Sequence, residues 1–252
     1  MAFMVNVLLV SVRTGEDVIQ AEYVDVLETT GLQPEHITHQ IVDDPEDSID
    51  LSAGSFDGII VGGSPLNVTN EQYTEWQHTV HRELRALIHQ PIPTLFICYG
   101  NSFLTYATGG IVRRNFPEEA GPTDVILTEA GMKDPLFQGL PRKFQSLGGH
   151  TESAEELDES VTRLAGGPHC PIQAIRANES TWATQFHPEL TTERFVTRIG
   201  FYLDYGYFNA AEFDQVAQRA RAIDTTASNQ VMLNFLQICQ QYAEQTKSGV
   251  PQ

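Results

Sequence analysis

The sequence predicts an α/β fold: an open, mostly parallel sheet with helices on both faces and a small antiparallel addition. Two observations carry this expectation. Short β-branched or aliphatic runs alternate with longer segments whose apolar residues recur at helical spacing, as in successive βαβ units. The middle of the chain, residues 109–176, breaks this rhythm with shorter, turn-rich, strand-like segments. A third observation bounds the size: 252 residues, 41% hydrophobic and 19% charged, suffice for one α/β domain with a substantial core or for two small ones. With no internal repeat, low-complexity tract or linker, a single domain spanning residues 1–252 is expected.

The elements follow in order. Residues 5–12 form a buried first strand that ends at Thr14-Gly15. Glu16–Thr30 carries Val18, Ala21, Val24 and Leu27 on one helical face and stops at Gly31. Residues 37–42 give a second strand, and residues 56–61 a third that closes on Gly62-Gly63-Ser64-Pro65. Residues 70–89 repeat Tyr73, Trp76, Val80, Leu84 and Leu87 at helical spacing, with His78, His81 and His89 read as solvated. Thr94–Ile97 is a strand and residues 101–107 a helix. After the antiparallel middle, residues 181–186 return to a buried strand and residues 191–203 to a helix. A helical C-terminal extension is expected over about residues 207–247, ahead of a polar tail.

Composition excludes some classes of function. Thirty-three acidic against 15 basic side chains give a formal charge of −18, a field that repels phosphate backbones and anionic membranes. Nucleic acid and membrane are therefore not expected partners. The apolar N-terminus lacks a basic leader and is too short to span a bilayer, so a cytoplasmic location is expected. The three cysteines, Cys98, Cys170 and Cys239, are too scattered for a disulfide framework or a metal knuckle. Cys170 and Cys239 read as packing residues.

In an open parallel sheet, ligands bind outside the carboxyl ends of the strands. Three predicted strands end in chemically useful residues: Gly62-Gly63, Cys98-Tyr99-Gly100 and His187-Pro188-Glu189. A thiol, an imidazole, a carboxylate and a glycine-lined backbone are the parts of an acyl-transfer site. Each alone has a plainer explanation. A cysteine in an apolar run is commonly a small buried residue, His-Pro-Glu a loop, and Gly-Gly a turn. Their joint placement at strand ends favours chemistry. A helix starting at Tyr99 or Gly100 would favour the thiolate through its N-terminal dipole.

These segments resemble the class I (triad) glutamine amidotransferase family, which pairs a nucleophile elbow, commonly G-x-C-x-G-x-Q, with a later F-H-P-E segment. Phe96-Ile97-Cys98-Tyr99-Gly100-Asn101-Ser102 matches the first and Gln185-Phe186-His187-Pro188-Glu189 the second. Val61-Gly62-Gly63-Ser64-Pro65 resembles the family's oxyanion turn, and Gly109-Gly110-Ile111-Val112 its G-G-x-V. Asp134-Pro135-Leu136-Phe137-Gln138-Gly139-Leu140-Pro141 resembles its D-P-L-F-x-G-L-P connection. Gly149-His150-Thr151-Glu152 sits where the family has an H-G-D-type loop. The likeness runs from about residue 55 to 190 and is nearest to stand-alone, GMP-synthase-like homologues.

The resemblance implies a flavodoxin-like sheet and assigns roles residue by residue. Cys98 would be the nucleophile, His187 the general acid and base, and Glu189 its orienting carboxylate. Gly63 and Tyr99 would supply oxyanion N–H groups, and Gly62, Gly100, Ser102, Gly149, His150 and Thr151 would contact substrate. The implied reaction is attack on a γ-glutamyl amide, with neither metal nor organic cofactor. A separate synthetase subunit would take up the ammonia, and the C-terminal helices would cap the sheet or form a homodimer face. Three positions depart from the family. Phe96 replaces a glycine and is expected to crowd the elbow, Asn101 replaces a histidine, and Ser102 replaces a substrate-holding glutamine. They keep two other readings open: a γ-glutamyl peptidase or conjugate hydrolase, and an idle regulatory module on the same fold.

Overall fold

The structure, a computed structural model, describes residues 4–203 and 208–248. Residue 207, where the helical extension was expected to begin, lies outside them. The first half of the chain is a succession of βαβ units. β1 (Val7–Ser11), α1 (Glu16–Thr30), β2 (Ile37–Ile41) and β3 (Gly58–Val61) lead to α2 (Glu75–Leu87), β4 (Thr94–Ile97) and α3 (Tyr99–Ala107). β1, β3 and β4 are buried along their whole length, which is why they read as continuous apolar runs rather than alternating ones. α2 starts at Glu75, later than the spacing suggests, because the Thr74 side chain accepts from the Gln77 N–H and caps the helix there.

The middle of the chain supplies β5 (Ile111–Arg113), β6 (Glu118–Leu127), β7 (Lys143–His150), β8 (Ser153–Glu156), β9 (Thr162–Gly166) and β10 (Ala174–Asn178). It then returns to the sheet as β11 (Thr181–Thr184). Beyond it lie α4 (Thr192–Gly200), α5 (Phe213–Arg221) and α6 (Thr226–Ser248).

Nine strands form one sheet in the order β2-β1-β3-β4-β11-β10-β9-β6-β7. The pairs β2-β1, β1-β3, β3-β4 and β4-β11 are parallel. The remaining pairs, from β11 to β7, are antiparallel, and β5 and β8 pair apart from the main sheet. The antiparallel part is thus larger than expected and continues the same sheet.

Side-chain alternation sorts the core onto two faces. Val7, Leu9, Ile60, Leu95 and Ile97 pack with Val26 of α1 and with Val231, Met232 and Phe235 of α6. Leu8, Val10, Ile59, Val61 and Phe96 pack with Val80 and Leu84 of α2 and with Phe103 and Leu104 of α3. A smaller third cluster joins Leu190, Phe195, Ile199 and Phe208 to Val216 and Ala220 of α5.

One expectation on α2 fails. His78 and His89 are exposed, but His81 is buried, with Nε2 2.7 Å from the Tyr99 hydroxyl. Burial, helped by the nearby Arg85 and His78, holds it down at about 4. His81 pins the helix that follows Cys98 to α2.

Candidate active site

The site lies at the carboxyl end of the parallel strands, where β3, β4 and β11 stop side by side. Cys98 occupies the single residue between β4 and α3, with φ 55° and ψ −99°. Among the described residues it is the only non-glycine with positive φ. The chain turns this sharply because the Cys98 N–H is still tied to the Thr184 carbonyl at 2.7 Å while its own carbonyl already accepts from the Asn101 N–H at 2.8 Å. The turn lifts the side chain above the sheet at the N-terminus of a nine-residue helix, an end that favours negative charge. Tyr99, as the first residue of α3, has an N–H without an acceptor inside the helix.

Phe96 does not crowd this elbow. Its side chain points to the opposite face of the sheet, fully buried beside Phe103. The room comes from Gly100, where a Cβ would lie 2.5 Å from the Phe96 Cβ. Gly100 therefore serves packing and borders neither cavity at Cys98. Gly62 likewise borders neither cavity, and a Cβ there would meet the Glu22 carboxyl carbon at 2.3 Å. Gly63 does reach the site. A Cβ on it would sit 3.0 Å from His187 Cε1 and 3.6 Å from Cys98 Cβ.

After β11 the chain leaves the sheet, with the His187 N–H bonded to the Leu147 carbonyl at 2.9 Å. His187 Nδ1 lies 2.7 Å from Glu189 Oε1, and Cys98 is near enough to favour charge on the ring. Burial disfavours charge on the ring, but the Glu189 carboxylate and Cys98 outweigh it and push His187 up to about 10. Burial alone would raise Glu189; His187 and Arg198 more than offset it and hold the carboxyl below its ordinary value.

Parts of the sequence that showed no motif hold this loop in place. Thr29 Oγ1 donates to the Glu189 carbonyl at 2.7 Å, and the Asn229 side-chain amide in α6 donates to the carbonyls of Pro188 and Leu190 at 2.8 and 2.9 Å. Beneath it runs a buried charge network. Arg13 pairs with Glu22 at 2.7 Å and donates to the Gly63 carbonyl and the Tyr202 hydroxyl. Arg198 and Arg194 both bond Asp25.

Two cavities meet at Cys98. The smaller, about 20 Å³, is polar and includes Tyr99, Ser102, Gly149, His150, Thr151 and Gln185 in its lining. Four of the predicted substrate contacts, Ser102, Gly149, His150 and Thr151, therefore do gather there. The Ser102 hydroxyl is buried without a hydrogen-bond partner. The Gln185 amide donates to the Cys98 sulfur at 3.9 Å and is itself held by Asn101 at 3.2 Å. Asn101 thus acts one step behind the sulfur. The larger cavity, about 60 Å³, borders His187 and the third hydrophobic cluster.

Among the described residues, Glu118, His150 and Cys170 form the group that could hold a metal, with one donor atom from each within 4.8 Å of the others. Their environment fits a hydrogen-bonded cluster better. His150 Nε2 lies 3.0 Å from Glu118 Oε2 and Nδ1 lies 2.9 Å from the Glu152 carbonyl, while Gln173 donates to Glu118 at 2.6 Å. Burial pushes the Cys170 thiol up to about 12, which disfavours the thiolate a metal requires.

Comparison with known proteins agrees with the geometry. The family model for glutamine amidotransferase class-I matches residues 18–202. A GMP synthase [glutamine-hydrolyzing] of Borreliella burgdorferi is 32% identical over 142 residues, covering 56% of this chain and 26% of the relative. Another, from Thermosipho melanesiensis, is 37% identical over 114 residues, covering 45% and 21%. This chain thus spans about a quarter of the length of these curated relatives. A glutamine amidotransferase from Thermotoga maritima has the same fold, with a TM-score of 0.73 at 16% identity over 93% of this chain and 98% of its own. A glutamine amidotransferase from Methylobacillus flagellatus superposes with a TM-score of 0.69 at 15% identity, covering 94% of this chain and 94% of its own. With the elbow, the His-Pro-Glu loop and the sheet in the order that the motifs require, and a family model matching most of its length, the chain belongs to the class I glutamine amidotransferase family.

Proposed function

We propose that the protein is a cysteine amidohydrolase that cleaves a γ-glutamyl amide, glutamine being the reference substrate, through Cys98, His187 and Glu189. The observation that carries this reading is the strained Cys98 turn facing a histidine whose far nitrogen is fixed 2.7 Å from a buried glutamate. Such a pair supplies a thiolate next to an imidazolium, with the carboxylate fixing the ring's orientation and tautomer.

In this mechanism the Cys98 sulfur adds to the γ-carbonyl carbon. The backbone N–H groups of Gly63 and Tyr99 stabilise the oxyanion. The tetrahedral adduct collapses as the C–N bond breaks, and His187 delivers its proton to the departing nitrogen. A water molecule, deprotonated by His187, then attacks the γ-glutamyl thioester. Glutamate leaves, and the proton returns the thiolate–imidazolium pair to its starting state. The polar cavity, with the unpartnered Ser102 hydroxyl, takes the glutamyl part. If the nitrogen released is ammonia, its acceptor is a separate synthetase chain, as the likeness to GMP synthase portions supports.

The test is release of glutamate from glutamine and from a panel of γ-glutamyl amides. Turnover should be detectable with the native protein and fall at least 1,000-fold in Cys98→Ser. No turnover across the panel, together with alkylation of Cys98 no faster than that of a free thiol, would instead identify an idle module on this fold.

A further inference from the structure

Arg13, two residues past the end of β1, is only 2% exposed and reaches the glycine turn that follows β3. Its Nη2 pairs with Glu22 Oε1 at 2.7 Å and donates to the Gly63 carbonyl, while Nη1 donates to the Tyr202 hydroxyl. Glu22 is braced in turn, because the Ser11 hydroxyl donates to its other oxygen. The two glycines make room for this arrangement. A Cβ on Gly62 would fall on the Glu22 carboxylate, and one on Gly63 would lie 3.1 Å from Arg13 Nη2 and 3.0 Å from His187 Cε1. The turn is thus wedged between a buried guanidinium and the imidazole of the site.

Burying a guanidinium is costly unless a carboxylate and well-placed acceptors meet it. Here one of those acceptors is a particular backbone carbonyl beside Cys98. In a planar trans peptide the C=O and the following N–H point in opposite directions. A grip on the Gly63 carbonyl therefore turns the Ser64 N–H away from Arg13 and holds it there. Ser64 borders both cavities that meet at Cys98, whereas Gly62 and Gly63 border neither. Among the described residues, the Ser64 N–H has no protein acceptor. A cation on the carbonyl also polarises the peptide and makes that N–H a stronger donor.

We infer that Arg13 is a positioning residue for the oxyanion site: by gripping the Gly63 carbonyl it presents the Ser64 N–H, beside those of Gly63 and Tyr99, to the adduct on Cys98. This rests on the roles given above to Cys98, His187 and Glu189. When the sulfur adds to the γ-carbonyl carbon, the C=O electron pair moves onto oxygen, and the turn stabilises that charge. The pair returns as the C–N bond breaks, and no bond to Arg13 forms or breaks. A reaction of the same sulfur that builds no oxyanion gains nothing from Arg13. Alkylation by iodoacetamide is such a reaction, since the thiolate displaces iodide from a CH2 carbon.

The experiment compares the native protein with Arg13→Lys and with the double variant Arg13→Met/Glu22→Gln, which strands no buried carboxylate. It measures kcat and KM for the best amide of the γ-glutamyl panel, and the rate of Cys98 alkylation by iodoacetamide. In the double variant kcat should fall by about 100-fold or more, the order of one lost oxyanion donor. KM and the alkylation rate should stay within about threefold of native. Arg13→Lys, which keeps a donor and the charge opposite Glu22, should lose only about tenfold in kcat, with the same split. Where the double variant lacks a cooperative thermal transition, Arg13→Lys decides. A kcat within threefold of native in the folded variants overturns the role of Arg13 and leaves the hydrolase reading standing. Alkylation slowed by the same factor as kcat also overturns it, because Arg13 would then be holding the fold and not the oxyanion turn. A native protein with neither turnover across the panel nor fast alkylation overturns the hydrolase reading, and this assignment with it.

Discussion

Cys98 is held in a backbone conformation that L-residues rarely adopt, a strain on the order of 1–3 kcal/mol that persists only where the surroundings over-determine it. Here the surroundings are the Thr184 carbonyl on one side and the first turn of α3 on the other. His187 stands at about 10 chiefly because Glu189 faces it across 2.7 Å. The basic limb of kcat/KM should therefore fall around pH 10, where the imidazolium is lost. In Glu189→Gln that limb should shift down toward the ordinary histidine range of about 6.5. The same shift affects stability. A histidine raised in the folded state stabilises fully below its unfolded value of about 6.5, and that contribution is lost as pH rises through about 10. Thermal unfolding followed between pH 6 and 11 checks this. A limb that Glu189→Gln does not move would contradict the pairing.

At the scale of elements, β4 and α3 are joined by a contact that the sequence presents as two unrelated peculiarities. Phe96 reads as a departure that should crowd the elbow, and Gly100 as part of the binding motif. In the fold they face each other, away from the cavities, with a Cβ on Gly100 falling 2.5 Å from the Phe96 Cβ. Gly100→Ala should cost about 1–3 kcal/mol by overpacking. Phe96→Ala should cost about 3–5 kcal/mol through the cavity it leaves. Because they share one space, the double variant should be more stable than the two separate costs predict, by about 0.5–3 kcal/mol in a double-mutant cycle. Strict additivity in urea unfolding would mean that the two do not touch. The strands themselves were legible because buried parallel strands are continuously apolar. The burial of His81 was not, since its place on α2 follows from a hydrogen bond to Tyr99 that spacing does not encode.

Across the whole molecule, one nine-stranded sheet carries both the strand ends that place Cys98 and His187 and the helices that close its faces. α6 contributes Val231, Met232, Phe235, Leu236 and Cys239, all fully buried, to one face. Their burial is worth on the order of 10 kcal/mol, comparable to the whole stability of a typical domain. Deleting residues 226–248 should therefore leave no folded protein, judged by loss of the cooperative thermal transition. A truncated chain that unfolds cooperatively near the native midpoint would show that α6 is an accessory. The sequence announces Cys98, His187 and Glu189 through two short motifs. It is silent on the groups that hold them, because Arg13, Glu22, Asp25, Arg198 and Asn229 come from distant segments and meet only in the folded chain.

The polar cavity beside Cys98 has another consequence. At about 20 Å³ it has room for roughly one water-sized group, and its walls are tied together. The Glu152 carboxylate accepts from the N–H groups of Val68 and Thr69, and Thr151 donates to Asn67. Under the proposed function, a glutamyl chain would enter only after the segments around residues 67–69 and 150–152 part. Occupancy would then be governed by the fraction of molecules already open, and the apparent dissociation constant would rise as that fraction falls. Saturation would be slow in onset and steeply dependent on temperature, even for a ligand that makes every contact once inside.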